Sequence, residues 1–320
     1  MILIVILILV ILMALVFVVS SLFIKHILEA VPNRSQMETD SPTSNEPEPA
    51  DATVAAFLKN RKELRKGGAE FKKLTEKAEI MSKDGLKLKA RYRMQEGNSH
   101  DWIISIHGYK DSHNFMLPYG AAFYEKGYHV LMPDNRAHGE SEGSYIGMGW
   151  LDKEDIKEWI KWIISKDEEA RIILHGISMG GATVMMTSGE NPEHVVGYIE
   201  DCGYTSVWDI FACVMKREYH LPAFPILHVC KMIGRKKAKY DFVEASCITQ
   251  LKKCKKPMLF IHGEKDGFIP IDMGYQVYEA FEGTKDIYIA KNAGHAESMD
   301  YDPQTYFNRI FEFIETKVSQ

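Results

Sequence analysis

The segment Gly-Ile-Ser-Met-Gly-Gly, at residues 176–181, is the most informative motif for the fold of this chain. It follows a short apolar run, Arg171–Leu174, and precedes a run that favours a helix, Ala182–Ser188. The glycines permit a sharp turn from strand to helix, and such a turn exposes the serine hydroxyl at the carboxyl end of a buried strand. The first N–H groups of the following helix favour negative charge at the same point. The pattern therefore predicts a nucleophilic serine, Ser178, in an α/β protein.

Short apolar runs alternate with helical segments on both sides of this motif. An alternating pattern in Leu86–Met94 predicts an early antiparallel strand. Further runs fit strands that are buried on both faces: Trp102–Ile106, His129–Met132, Arg171–Leu174, Val195–Ile199, Met258–Ile261 and Ile287–Ile289. The clearest helix is Asp152–Ser165, whose apolar residues recur at helical spacing behind Asp152, a candidate N-cap. Strands that alternate with amphipathic helices predict a mostly parallel sheet covered on both faces.

A serine hydroxyl is a poor nucleophile until a base takes its proton, so a histidine and an orienting carboxylate are expected. Asp266 follows the run Met258–Ile261, and His295 follows the last predicted strand. The order Ser178, Asp266, His295 is the chain order of this catalytic arrangement. Asp201, after Val195–Ile199, is a rival for the carboxylate, and we favour Asp266.

Acyl transfer also needs N–H donors for the oxyanion. One expected donor is the backbone N–H of Met179, the residue after the nucleophile. The other is the backbone N–H of Tyr109, in the segment His107–Tyr109 that follows the run Trp102–Ile106. His107, His175 and His262 each precede a glycine at a strand end, and we expect them to shape the loops or pack under them.

These motifs together resemble those of the α/β-hydrolase superfamily, and more narrowly a bacterial branch related to serine aminopeptidases, monoacylglycerol lipases and cinnamoyl-ester esterases. The resemblance covers about residues 78 to 316. It implies that Asp134, Arg136 and His138, within residues 134–141, brace the fold beside the site. It also implies a cap between the sixth and seventh strands, which matches Gly203–Gln250, a segment that interrupts the strand and helix alternation.

Four regions are predicted along the chain. Residues 1–24 carry no charge and are long enough for a transmembrane anchor, whereas a cleaved signal peptide would have a basic start and a shorter apolar run. Residues 25–51 form a Pro-rich and acidic tether. Residues 52–77 form a basic helical segment, for which we favour a solvated face over contact with anionic lipid. Residues 78–320 form the hydrolase domain, with its cap at about 203–250.

Composition limits the partners of this chain. The net charge of -5, from 39 Lys and Arg against 44 Asp and Glu, gives no general attraction to nucleic acid. The five cysteines lack metal-binding or disulfide spacing, and the expected chemistry requires no metal or organic cofactor. Lys25 and Arg34 follow the apolar segment and weakly favour a cytoplasmic catalytic domain.

The function predicted from these features is hydrolysis of a carboxylic ester through an acyl-enzyme. An amidase or peptidase would use the same residues, so the sequence leaves that alternative open. An inactive binding module on the same fold and acyl transfer to an alcohol are further alternatives. The apolar N-terminus favours a substrate at the bilayer, such as a lipid-like ester, and basic residues near 235–239 could favour an anionic headgroup.

Overall fold

A computed structural model describes residues 1–30 and 52–319. Its eight-stranded sheet has the order β1-β2-β4-β3-β5-β6-β7-β8. The strands are β1 (Glu76–Met81), β2 (Lys87–Arg93), β3 (Asp101–Ile106), β4 (His129–Pro133), β5 (Arg171–Ile177), β6 (Val195–Asp201), β7 (Met258–Gly263) and β8 (Lys285–Ala290). β2 pairs antiparallel with both β1 and β4, and every other pairing is parallel. The predicted mostly parallel sheet is confirmed.

Helices cover both faces of this sheet. They are α1 (Ile2–Leu28), α2 (Ala52–Leu74), α3 (His113–Glu125), α4 (Asp152–Ile164), α5 (Met179–Ser188), α6 (Val207–Glu218), α7 (Ile226–Lys237), α8 (Cys247–Leu251), α9 (Ile271–Ala280), α10 (Ser298–Tyr301) and α11 (Pro303–Phe313), with a π-helical end at Ile314–Val318. Trp102 and Ile104 belong to the core that includes residues of α4 and α5, whereas Ile103 belongs to the core that includes residues of α3 and α11. This alternation follows the two-residue period of a strand.

Two local predictions differ from the structure. β1 has no counterpart among the predicted strands because half of its side chains are charged and only Ala78 is buried, so backbone pairing with β2 defines it. Asp152 does not cap α4, since the N-cap residue is Leu151 and Asp152 is the first helical residue. The buried Asp152 carboxylate instead accepts a hydrogen bond of 2.7 Å from the N–H of Gly149.

The apolar N-terminal helix, α1, is longer than the predicted segment and ends at Leu28. Within the described residues it is the one helix whose length and composition would let it cross a membrane. Ala30 donates a backbone hydrogen bond of 3.0 Å to Ser144, so the first residues of the predicted tether pack against the α/β domain. The rest of that tether, residues 31–51, lies outside the described residues.

The basic helical segment packs against the α/β domain. α2 packs on α3, where Gly68 lies against the ring of Pro118, and Phe71 is buried in the core. Arg61 forms ion pairs of 2.9 Å with Glu297 and 2.8 Å with Asp300. The lysines at positions 59, 62, 66 and 73 are exposed, which agrees with a solvated face.

The segment between β6 and β7 lies where an insertion is predicted, and we call residues 203–250 the cap. α6, α7 and most of α8 lie within it. Its apolar side chains, including Phe211, Leu227 and Phe242, are buried in the same core as residues of α1 and α5. The cap is therefore packed as part of the domain, above the carboxyl ends of the strands where a ligand site of this fold class lies.

Candidate active site

Ser178 occupies the turn between β5 and α5. Its φ of 57° lies in the left-handed region that residues other than glycine rarely adopt. A Cβ atom at Gly176 would lie 2.3 Å from the carbonyl oxygen of Gly180, and one at Gly180 would lie 2.1 Å from that of Ile106. These contacts explain why the turn requires glycine on both sides. The Ser178 N–H donates to the backbone oxygen of Asp201 at 2.8 Å and fixes the turn.

The structure brings the three predicted residues together. Nε2 of His295 lies 2.9 Å from Oγ of Ser178, and Nδ1 of His295 lies 2.8 Å from Oδ2 of Asp266. The other Asp266 oxygen accepts the N–H groups of Phe268 and Ile269, each at 2.8 Å. The Asp266 side chain is fully buried, so its position is fixed by these hydrogen bonds.

This geometry is suited to general-base chemistry. A carboxylate at Asp266 accepts the Nδ1 proton of His295, which leaves Nε2 free to accept the Ser178 proton. The imidazolium that forms is stabilised by the same carboxylate. The arrangement can therefore activate a hydroxyl nucleophile and return the proton to a leaving group.

Asp201, the rival carboxylate, makes a different set of contacts. Its Oδ1 accepts a hydrogen bond of 3.3 Å from Ser298, and the described hydrogen bonds of His295 go to Asp266 and Ser178. Burial raises the pKa of Asp201 to about 6. The geometry therefore favours Asp266 as the orienting carboxylate.

The segment His107–Tyr109, which we call the oxyanion loop, lies directly against the nucleophile. A Cβ atom at Gly108 would be 3.4 Å from the Ser178 Cβ. In the described part of the chain, the N–H groups of Tyr109 and Met179 have no acceptor. Both remain candidates for oxyanion donors, because such donors stay free until the substrate carbonyl arrives.

Three further histidines make hydrogen bonds at or under the strand ends. Nδ1 of His107 is 2.7 Å from the Gly108 oxygen, and Nε2 of His262 is 3.0 Å from the Ile269 oxygen. His175 bridges Ser105 and Tyr306 at 2.8 and 3.2 Å. Burial lowers the pKa of His107 to about 4 and that of His175 to about 3, so both are neutral at physiological pH. These contacts are structural, as expected.

The segment at residues 134–141 lies beside the oxyanion loop and supports it. The Asp134 carboxylate accepts hydrogen bonds from the N–H and the ring of His113 at 2.7 and 2.9 Å. Arg136 forms a buried bidentate ion pair with Asp155, in which both hydrogen bonds are 2.7 Å long. Nε2 of His138 accepts the N–H of Lys110 at 3.0 Å, next to the oxyanion loop. The bracing role implied by the resemblance agrees with these contacts.

A cavity of about 340 Å³ opens onto Ser178. The cap supplies apolar walls at Ile210, Phe211 and Val214, and the loop after Asp266 supplies Phe268 and Ile269. α1 also contributes, through His26 and Ile27. The sequence alone does not predict this contribution, because the same apolar residue types occur in the walls of cavities and on helix faces that contact lipid.

One cluster near the nucleophile has metal-ligand chemistry. Ligand atoms of Cys202, Asp266 and His295 lie within 4.8 Å of one another. Burial raises the pKa of the Cys202 thiol well above its usual range, so this sulfur is protonated. A metal-binding cysteine is a thiolate. The cluster therefore fits the hydrogen-bonded arrangement around Ser178 better than a metal centre.

Comparison with known proteins identifies relatives of this chain. A family model described as "Serine aminopeptidase, S33" matches residues 97–222, which include the oxyanion loop and Ser178. An uncharacterized protein of Bacillus subtilis, YqkD, is 30% identical over 226 residues, covering 70% of this chain and 74% of the relative. A thermostable monoacylglycerol lipase of a Bacillus species is 21% identical over 239 residues, covering 66% of this chain and 89% of the lipase.

Among solved structures, an esterase of Pyrococcus furiosus is similar in fold. It superposes with a TM-score of 0.60 at 22% identity, covering 76% of this chain and 91% of the esterase. This likeness establishes the α/β-hydrolase fold, and the cap and the N-terminal helix are additions to the sheet on which the site is built.

Proposed function

Because this chain belongs to the serine aminopeptidase (S33) family of α/β-hydrolases, we propose that it hydrolyses a carboxylic ester through a covalent acyl-enzyme. The observation that carries this proposal is the hydrogen-bonded chain from Asp266 through His295 to Ser178, with distances of 2.8 and 2.9 Å. Such a chain supplies a nucleophile, a base and an orienting group in contact.

In the proposed reaction, Oγ of Ser178 attacks the ester carbonyl carbon while Nε2 of His295 takes the hydroxyl proton. The N–H groups of Tyr109 and Met179 stabilise the oxyanion of the tetrahedral intermediate. Collapse breaks the bond to the alcohol oxygen, and His295 donates its proton to that leaving group. His295 then deprotonates water, which attacks the acyl-enzyme and releases the carboxylic acid and free Ser178.

The walls of the cavity support an apolar acyl group. Ile210, Phe211 and Val214 of the cap line it, together with Ile27 of α1. Such a surface binds an acyl chain through the hydrophobic effect and offers few polar partners. The relationship to a monoacylglycerol lipase supports the same substrate class.

We also propose that α1 is an uncleaved single-pass membrane anchor. Its composition and length fit a membrane span. Cleavage after the apolar segment, at residue 24, would remove Phe23 and Ile24, which are buried in the domain core. Retention of these residues is therefore tied to folding. The cytoplasmic side, favoured weakly by Lys25 and Arg34, stays a prediction.

An amide substrate is the second candidate. Glu218 is the one carboxylate among the described residues that line the cavity, and such a group could bind the ammonium of an amino-terminal substrate. Its pairing with Arg217 at 2.9 Å disfavours that role. Faster turnover of a fluorogenic aminoacyl amide than of the matched ester would replace the esterase proposal with this one.

The proposal is tested by p-nitrophenyl ester hydrolysis with the full chain in detergent micelles. Ser178→Ala should lower kcat by roughly 10⁴-fold or more. Ser188→Ala is the matched control, since it removes a buried hydroxyl near the other end of α5 that bonds to Met185. Unchanged activity in Ser178→Ala would refute the nucleophile. Failure of the wild-type chain to hydrolyse esters or amides, or to react with a fluorophosphonate, would favour a binding role.

A further inference from the structure

The last two turns of α1 are built into the catalytic domain. The Ser20 hydroxyl donates to the backbone oxygen of Ile226 in the cap at 3.1 Å. The Phe23 ring packs edge-on against Phe211 and Tyr219, with centroid distances of 5.9 and 5.4 Å. The helix is therefore fixed against the cap at the end where it leaves the apolar stretch.

The same turns form part of the substrate cavity. His26 and Ile27 line the 340 Å³ cavity at Ser178. A second cavity of about 800 Å³ lies beside it, and His26, Lys110 and Tyr219 line both. Shared walls place the two cavities next to each other. The two adjoining cavities follow α1 from Val19 to Ile27, and we call this pair of cavities the passage.

The outer cavity begins at the level where α1 would leave a bilayer. Val19, Leu22 and Leu221 are among its lining residues. From Ile2 to Val19 a helix rises about 27 Å, close to the roughly 30 Å of the hydrocarbon core. The mouth of the passage would therefore lie within about one helical turn of the membrane surface.

The cap presents an apolar side chain at the same level. α7 runs parallel to α1, because Ile226 contacts Ser20 at one end and Lys237 lies 3.5 Å from Glu29 at the other. Phe224, two residues before Ile226, is 73% exposed. An exposed aromatic ring beside a membrane helix is favourable where it can enter the lipid interface.

We propose that the substrate is a membrane-resident lipid ester, and that its acyl chain reaches Ser178 through the passage between α1 and the cap. This inference rests on the proposed esterase activity and names its substrate class. A chain that moves from lipid tails to apolar walls stays out of water, whereas a route through solvent exposes every methylene. α1 would thus be part of the binding site as well as an anchor.

The test uses the full chain in lipid nanodiscs and compares p-nitrophenyl palmitate with p-nitrophenyl acetate. Leu22→Trp narrows the outer cavity from a position that is 61% exposed. Val18→Trp is the matched control, since Val18 is 52% exposed on the same helix and lines neither cavity. Melting temperatures verify that both variants are folded.

We expect Leu22→Trp to lower the ratio of kcat/KM for palmitate over acetate about tenfold, and Val18→Trp to leave that ratio at the wild-type value. An unchanged ratio in Leu22→Trp, or an equal fall in Val18→Trp, would overturn the inference. If the wild-type chain and Ser178→Ala are equally inactive on both esters, the proposed esterase function fails, and this inference fails with it.

Discussion

The hydroxyl of Tyr109 donates a hydrogen bond of 2.8 Å to the backbone oxygen of Ile27, which joins the oxyanion loop to α1. Burial raises the pKa of Tyr109 well above its usual range, so the hydroxyl stays protonated and remains a donor. Ile27 lies in the last turn of its helix, where carbonyl groups lack partners within the helix. A helix that resembles a simple anchor is thus bonded to a residue whose N–H is a proposed oxyanion donor.

Replacement of Tyr109 by phenylalanine should lower kcat several-fold with little change in KM. The loop would lose its attachment to α1, and the oxyanion is present only after substrate has bound. The lost hydrogen bond should also cost about 1 kcal/mol of unfolding free energy. Steady-state kinetics and thermal unfolding measure the two effects.

Tyr92→Phe is the matched control for that variant. It removes a tyrosine hydrogen bond of 2.8 Å from β2 to Glu76 of the edge strand β1. We expect kcat to stay at the wild-type value in this control. An equal loss of kcat in both variants would contradict a positioning role for Tyr109.

Replacement of each candidate carboxylate by an amide should show which of the two orients His295. Asp266→Asn should lower kcat by about 10⁴-fold, because the amide would favour the wrong tautomer of His295. Asp201→Asn should cause a much smaller loss, since this side chain bonds to Ser298. Ester hydrolysis by the two variants decides, and the reverse order of effects would assign the carboxylate to Asp201.

The packing of α1 on the cap should contribute to stability. Phe23 is 4% exposed, so Phe23→Ala should reduce the free energy of unfolding by about 3 kcal/mol. Phe17→Ala, at a position 57% exposed on the same helix, should cause little change. Thermal unfolding of both full-length variants in micelles measures the difference. Equal melting temperatures would show that the docked end of α1 is not part of the cooperative unit.

The stability of the domain should depend on Glu200. Burial raises the pKa of this carboxyl from an ordinary 4.5 to about 8. The unfolded chain releases the proton above pH 4.5, whereas the folded chain keeps it until about pH 8. The contribution of the Glu200 carboxyl to the free energy of unfolding is therefore complete below pH 4.5. Between pH 4.5 and pH 8 this contribution falls by at most about 1.4 kcal/mol per pH unit.

Glu200→Gln should remove this part of the pH dependence, because the amide stays neutral and can still accept the N–H of Gly203. Denaturant unfolding at several pH values between 5 and about 8 measures the slope. Glu282→Gln, at an exposed position, is the control and should retain the wild-type slope. A wild-type slope in Glu200→Gln would show that the buried carboxyl is ionised.

Local sequence patterns were sufficient to predict the buried strands and the turn that carries the nucleophile. The apolar runs that became β3 to β7 are buried on both faces, and their composition indicates that burial directly. The run that became β8 is only partly buried, because this strand lies at the edge of the sheet. β1 escaped prediction because it lies at the edge of the sheet and carries charged residues such as Glu76 and Glu79. Its place depends on backbone hydrogen bonds to β2, and side-chain type does not report those bonds.

The motif around Ser178 and the order of Asp266 and His295 were determined by the sequence alone, because a strand-to-helix turn between glycines and loops at strand ends are local consequences of residue type. Tertiary structure decided which carboxylate reaches His295, since Asp201 and Asp266 both follow strands of the same sheet. It also decided that α1 walls the cavity beside Ser178. Apolar side chains pack equally well against lipid or protein, so only the folded chain assigns Phe23 and Ile27 to the catalytic domain.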